Sequence, residues 1–129
     1  MPVHENIGRK WLQRLPLSAL AVSMLCALAF PVPASGHPPK DVSLAFDTQK
    51  GVLAVTITHS SFFPSKHYIK DVVISVNGKQ VGGTPYTVQP AGDSFTYTYP
   101  VQASPGDVIS VIATCNIFGS KEGSVTVPR

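Results

Sequence analysis

Residues 68–83 read YIKDVVISVNGKQVGG, and this stretch decides the fold class. Its first part, YIKDVVISV (68–76), is rich in the β-branched residues that favour strands. Asn77-Gly78 follows, which is the strongest short-range signal for a two-residue β-hairpin turn. KQVGG (79–83) then returns along the first strand. The stretch therefore predicts two antiparallel strands joined by a tight turn.

The same alternation of apolar and polar residues continues through the rest of the chain after residue 40. No helical periodicity interrupts it, and turn residues recur at intervals of roughly 8–12 residues. About seven short strands predict an all-β fold, an immunoglobulin-like β-sandwich. The further strand segments are VSLAFD (42–47), VLAVTITH (52–59), DSFTYTYP (93–100), DVISVIATC (107–115) and GSVTV (123–127).

The N-terminal segment has a different composition. Residues 1–16 carry three basic side chains and one acid, and LSALAVSMLCALAF (17–30) is uncharged. Small residues follow at 34–36. A basic start, a short apolar run and small residues predict a secretory signal peptide over 1–34. The expected mature domain is 35–129, periplasmic or secreted and without a stable membrane span, and a retained N-terminal anchor is the alternative.

Charge and cysteine content narrow the function of residues 35–129. Seven basic and six acidic side chains leave a net charge of +1, with no basic stripe, so nucleic acid is not an expected partner. Cys115 would be the only thiol of an exported chain, since Cys26 lies in the predicted signal peptide. An unpaired cysteine in an oxidising compartment indicates a metal ligand, a reactive thiol or intermolecular pairing. A small buried apolar residue is the structural alternative.

Strand phase places two candidate ligands near the end of the predicted core. His59 follows Leu53, Val55 and Ile57 on one face, and Cys115 ends its strand on the inward face in the same way. His67 lies across the loop THSSFFPSKHYIK (58–70) from His59. Imidazole nitrogens with one thiolate suit iron, copper or zinc rather than calcium or magnesium. We expect Phe62 and Phe63 to pack over the loop.

Two stretches carry a resemblance to a known family. KHYIKDVVISVNGK (66–79) and CNIFGSK (115–121) resemble the ligand-bearing motifs of superoxide reductases, in the ferrous-iron domain shared with desulfoferrodoxin and neelaredoxin. The resemblance covers roughly residues 40–127. It implies an immunoglobulin-like sandwich whose iron is bound by four equatorial histidines and one axial cysteine, with an open position for superoxide.

The resemblance assigns roles to individual residues. His67 matches the histidine of the His-Tyr-Ile run, Cys115 matches the axial cysteine, and His59 matches the upstream loop histidine. Lys66 matches the lysine that attracts superoxide to the open face, a catalytic role. His37 is the only residue available for the histidine that precedes the first strand. The implied metal ligands are therefore His59, His67, Cys115 and His37.

The chain departs from the family pattern at several positions. Phe118 stands where the family has an equatorial histidine, and phenylalanine cannot bind a metal. The spacing from His59 to His67 is longer than the family's, and Ser61 stands at the family's position. The ligand set is thus incomplete, so activity is expected to be reduced or absent and copper or zinc could compete with iron.

The resemblance also implies partners. Superoxide or another small oxidant is the expected substrate, and the electron donor is unknown. The backbone N–H groups of Asn116, Ile117 and Gly119 are expected to donate hydrogen bonds to the cysteine sulfur. The competing interpretation is a non-enzymatic periplasmic carrier or binding module of a redox or sulfur-oxidation system, because fold alone does not determine function.

Overall fold

A computed structural model describes residues 36–129, and the predicted signal peptide lies outside these residues. Seven β-strands and no helix make up this part of the chain, which confirms the all-β prediction. Within residues 36–129, no helix has the length and hydropathy of a membrane span. The strands are β1 (Asp41–Asp47), β2 (Val52–Thr58), β3 (Ile69–Val76), β4 (Lys79–Pro85), β5 (Ser94–Pro100), β6 (Val108–Cys115) and β7 (Ser120–Thr126).

The strands form two antiparallel sheets that pack as an immunoglobulin-like sandwich. One sheet has the order β1-β2-β5 and the other the order β4-β3-β6-β7. The predicted hairpin is confirmed, because β3 and β4 pair across a turn in which Asn77 has φ 51° and Gly78 has φ 80°. Both values lie in the left-handed region that a type I′ turn requires, which explains why Asn-Gly occupies these positions.

Alternation along the strands supplies the core between the sheets. Leu53, Val55 and Ile57 of β2 are fully buried, and they face the buried Ile109 and Val111 of β6 across the sandwich core. Each such side chain contributes about 1.5–3 kcal/mol when it leaves water. The predicted inward faces of these strands are therefore confirmed. The core also includes Val42, Ile69, Val72, Ile74, Phe95, Val101, Ala113 and Val127.

A tyrosine cluster joins the two sheets at one side of this core. The ring of Tyr86, which follows β4, stacks on the ring of Tyr97 in β5 at 4.2 Å and 7°. The hydroxyls of Tyr86 and Tyr99 lie 2.7 Å apart and share a hydrogen bond. Burial and then the neighbouring Tyr86 raise the pKa of Tyr97 to about 12. The cluster therefore ties the segment after β4 to β5 of the other sheet.

One irregularity in the sheet positions the candidate site. In the β3–β6 ladder, Ile69 pairs with Cys115 but Asp71 pairs with Thr114, so Lys70 is an extra residue, a β-bulge. Bulges locally kink a strand and re-aim the side chains beside them. The start of β3 and the end of β6 are thereby held side by side, and the loop that carries His67 joins β3 at this point.

Candidate metal centre

Three of the four predicted ligands lie together at one end of the sandwich. The nearest ligand atoms of His59, His67 and Cys115 all lie within 4.8 Å of one another. Two ligands bound at 2.0–2.3 Å to one ion are at most about 4.6 Å apart, so small side-chain rotations would bring the three donors to bonding distance. His59 and Cys115 are 1% and 3% exposed, which keeps bulk water away from both donors.

The fourth predicted ligand, His37, lies apart from these three donors. Its side chain is exposed, and its ring centroid lies 6.2 Å from that of His67, against 4.5 Å between His59 and His67. The His37 imidazole is therefore not one of the three clustered donors. Instead its backbone carbonyl oxygen lies 3.1 Å from Nε2 of His59.

His67 carries a buried nitrogen that the protein leaves without a hydrogen bond. Its Nε2 is the one buried side-chain nitrogen or oxygen atom, among residues 36–129, that lacks a partner. A buried polar atom without a hydrogen-bond partner costs about 1–3 kcal/mol of stability, unless an ion or a water molecule binds it. Burial, and then the imidazoles of His59 and His37, hold the pKa of His67 below its ordinary value, while a backbone contact with His37 opposes the shift. A neutral imidazole with a free lone pair is the form that binds a metal ion.

Cys115 is held at the junction between β6 and the loop that follows. The Ile117 N–H donates a hydrogen bond to its Sγ at 3.4 Å, which stabilises a thiolate. The Cys115 N–H donates to the carbonyl of Gly119, whose φ of 79° closes the turn. The expectation that Asn116 also donates to the sulfur is wrong, because its N–H donates to the carbonyl of Tyr68.

Asn116 instead fastens the Cys115 loop to the His67 loop. Its Oδ1 accepts a hydrogen bond from the Tyr68 N–H at 2.9 Å, and its Nδ2 donates to the Lys66 carbonyl at 2.9 Å. Its own N–H donates to the Tyr68 carbonyl, so three hydrogen bonds join Asn116 to the residues on either side of His67. The asparagine therefore holds the backbone on either side of His67 against the loop that follows Cys115.

The long loop between His59 and His67 is braced from inside. Ser61, which is buried, donates from Oγ to the His67 carbonyl at 2.6 Å. Ser61 thus serves as a brace that brings the ends of the loop together. Phe62 and Phe63 are 100% and 69% exposed, so the expectation that they pack over the loop is wrong.

Sequence reasoning missed one buried residue of the site, Gln89. It is 2% exposed, and its Oε1 lies 2.7 Å from Nδ1 of His59. Its Nε2 donates to the His59 carbonyl at 3.0 Å and to the Ala91 carbonyl at 2.7 Å. No motif or strand phase marks a glutamine in the segment between β4 and β5, so no sequence signal could have found it.

The two other residues considered from sequence lie on the surface nearby. Lys66 is exposed, directly before His67, and its N–H donates to the Phe63 carbonyl. Phe118 is 66% exposed and has no atom that could coordinate a metal. The described part of the chain thus offers two imidazoles and one thiolate as a clustered donor set.

No protein-family model matches the chain, and no curated protein matches it in sequence. Among solved structures, superoxide reductase (neelaredoxin) from Ignicoccus hospitalis has a TM-score of 0.41 at 19% identity, covering 71% of this chain and 80% of that one. A single-residue variant of the same protein has a TM-score of 0.42 at 18% identity, covering 74% and 82%. At these values the likeness carries no argument about family or activity.

The donor chemistry fits a transition-metal ion. Imidazole and thiolate ligands suit iron, copper and zinc, and hard cations such as Mg²⁺ and Ca²⁺ take oxygen ligands. The free Nε2 of His67 and the grouping of all three donors are what a metal site requires. The His59, His67 and Cys115 cluster can therefore hold a metal ion.

Proposed function

We propose that this chain is an exported, superoxide reductase-like iron protein, whose His59, His67 and Cys115 hold a ferrous ion that reduces superoxide. The observation that carries the proposal is the gathering of these three donors within 4.8 Å around a buried His67 nitrogen that has no other partner. Zinc would fit the same donors but has no redox chemistry, so a redox role requires iron or copper.

Iron held by His59, His67 and Cys115 would supply one-electron redox chemistry: superoxide takes up one electron and two protons and becomes hydrogen peroxide. An external reductant, the unknown electron donor, would have to provide each electron. Cys115 would hold the ion through its sulfur, and the Ile117 N–H, which donates a hydrogen bond to that sulfur at 3.4 Å, would stabilise negative charge on it.

Exposed residues border the buried cluster, and a small oxidant would pass them on its way to the donors. Lys66 places an exposed positive charge directly before His67. A positive charge near an open site attracts an anion such as superoxide, and the attraction weakens as salt screens it. Lys66 would therefore promote the encounter between superoxide and the cluster.

Replacing Lys66 with glutamate should slow superoxide reduction several-fold at low ionic strength and much less at high salt, because only the electrostatic attraction is lost. The rate is measured by pulse radiolysis on the iron-loaded protein. Lys79→Glu makes the same change of charge at the distant β3–β4 hairpin, and it should leave the rate near that of the unmodified chain. Equal rates for the two variants would show that Lys66 has no special role.

The activity itself is tested by product stoichiometry. Reduction gives one hydrogen peroxide per superoxide and no dioxygen, whereas dismutation gives one peroxide and one dioxygen per two superoxide. We expect the one-to-one ratio from the reduced, iron-loaded protein in a single turnover. A protein that binds iron but consumes no superoxide would support the carrier or binding-module alternative.

Export is the second part of the proposal, and it rests on the basic, apolar and small-residue regions of residues 1–34. N-terminal sequencing of the protein made in a cell with its own export system should find a mature chain that begins near Ala34 or Gly36. A chain that still begins at Met1 would contradict cleavage and indicate a retained anchor.

A further inference from the structure

We infer that Gln89 is a positioning residue that fixes the His59 imidazole in the tautomer whose Nε2 can bind a metal ion. The inference deepens the proposed function and rests on it for the role of the metal. It concerns a residue outside the three donors, and it is carried by the hydrogen bonds around a single buried amide.

The orientation of the Gln89 amide is determined by its neighbours. Its Nε2 lies within hydrogen-bond distance of two backbone carbonyls, those of His59 and Ala91, and carbonyls can only accept. The opposite orientation would place the amide oxygen against both of them. The amide NH₂ must therefore face the carbonyls, which leaves Oε1 facing Nδ1 of His59 at 2.7 Å.

The amide orientation determines where the His59 proton lies. An amide oxygen accepts but cannot donate, so Nδ1 of His59 must carry the hydrogen. In the neutral imidazole the lone pair is then on Nε2. That nitrogen lies 3.1 Å from the His37 carbonyl oxygen, which is also an acceptor. Two acceptors at this distance repel each other unless a proton or a metal ion binds Nε2.

Gln89 also holds the backbone that carries the ligands. Its side chain binds the His59 carbonyl, and its own N–H donates to the Pro64 carbonyl in the loop between the two histidines at 3.2 Å. The segment after β4 is thereby attached both to the end of β2 and to the middle of the loop. One residue thus sets the ring orientation of His59 and limits the movement of the loop that leads to His67.

This arrangement matches how histidine ligands are generally oriented. A metal-binding histidine usually donates its second ring N–H to a carboxylate, carbonyl or water, and loss of that partner costs about 10–100-fold in metal affinity. The amide oxygen of Gln89 takes the place of that partner here. We therefore expect Gln89→Met, which keeps the volume but removes the acceptor, to weaken Co²⁺ binding about 10–100-fold.

The first test measures the tautomer in the full-length chain before any metal is added. Two-bond ¹H–¹⁵N correlation spectra distinguish a histidine protonated at Nδ1 from one protonated at Nε2. His59 should be protonated at Nδ1 in the unmodified protein and should lose that preference in Gln89→Met. A proton on Nε2 in the unmodified protein would overturn the inference, whatever metal the protein binds.

The second test titrates the same proteins with Co²⁺, whose visible spectrum reports a bound thiolate. Gln89→Glu keeps an oxygen acceptor for Nδ1, and its protonated carboxyl can donate to one of the two carbonyls, so it should bind Co²⁺ more tightly than Gln89→Met. Val101 follows β5, and its N–H donates to the carbonyl of Gly51, at the end of β2 away from His59. Val101→Ala therefore controls for a general loss of stability and should keep the original affinity.

The outcomes separate the inference from the proposed function. If the unmodified protein does not bind Co²⁺, the proposed metal site is wrong. If it binds Co²⁺ and Gln89→Met binds it equally well, only the inference about Gln89 is wrong. A Gln89→Met protein that unfolds still leaves the tautomer of the unmodified chain and the affinity of Gln89→Glu as decisive measurements.

Discussion

Replacing Cys115 with serine should abolish the visible absorption of the oxidised, iron-loaded protein. The band arises from charge transfer between a thiolate sulfur and ferric iron, and Cys115 is the one thiolate that the cluster offers. Iron affinity should also fall by more than about 100-fold, because loss of a direct ligand costs more than loss of a supporting hydrogen bond, which already costs 10–100-fold.

Thr114→Ser provides a matched control for this variant. Thr114 precedes Cys115 in β6 and lies in the opposite strand phase, outside the donor cluster. The control should keep both the band and the affinity. If Cys115→Ser retained the band, the sulfur would not be a ligand. Alkylation of the unmodified protein across pH would then test Cys115 as a reactive thiol, since only the thiolate reacts.

Replacing Gly123 with alanine should destabilise the sandwich by at least about 3 kcal/mol, the upper end of the usual cost of overpacking. A Cβ added at Gly123 in β7 would lie far inside van der Waals contact with the backbone carbonyl oxygen of Val42 in β1. Both strands are edges of their own sheets, and they approach each other closely here. Backbone atoms in a hydrogen-bonded strand cannot rotate away as a flexible side chain can.

Urea denaturation measures this effect through the midpoint and the free energy of unfolding. Gly82→Ala is the matched control, because Gly82 also lies in a strand but its added Cβ would only reach ordinary contact, 4.0 Å from Cδ1 of Ile74. We expect the control to change stability little. Equal midpoints for the two variants would mean that the close approach of β1 and β7 is not needed for folding.

The fold could be predicted because its signals are local. Alternation along β2 and β6 identified the buried faces, and Asn77-Gly78 identified the hairpin, since both depend on neighbours in sequence. The same phase placed His59 and Cys115 at the inner ends of their strands. One boundary was wrong by three residues: β7 begins at Ser120 rather than at residue 123, because Ser120 continues the ladder opposite Thr114.

The support around the donors could not be predicted, because it depends on tertiary contacts. Gln89 lies in an irregular segment between strands, and only the folded chain shows that its amide faces His59. Asn116 joins two loops that are far apart in sequence, and its N–H donates to the Tyr68 carbonyl rather than to the sulfur. Strand periodicity also says nothing about the exposure of Phe62, which lies in a loop.

Iron K-edge X-ray absorption on the full-length chain tests the central claim most directly. After loading with one equivalent of Fe²⁺ under anaerobic conditions, the first coordination shell should contain one sulfur scatterer, together with imidazole scattering from two histidines. The sulfur contribution should vanish in Cys115→Ser. A first shell of nitrogen and oxygen alone in the unmodified protein, or iron that is lost on gel filtration, would contradict a site formed by His59, His67 and Cys115.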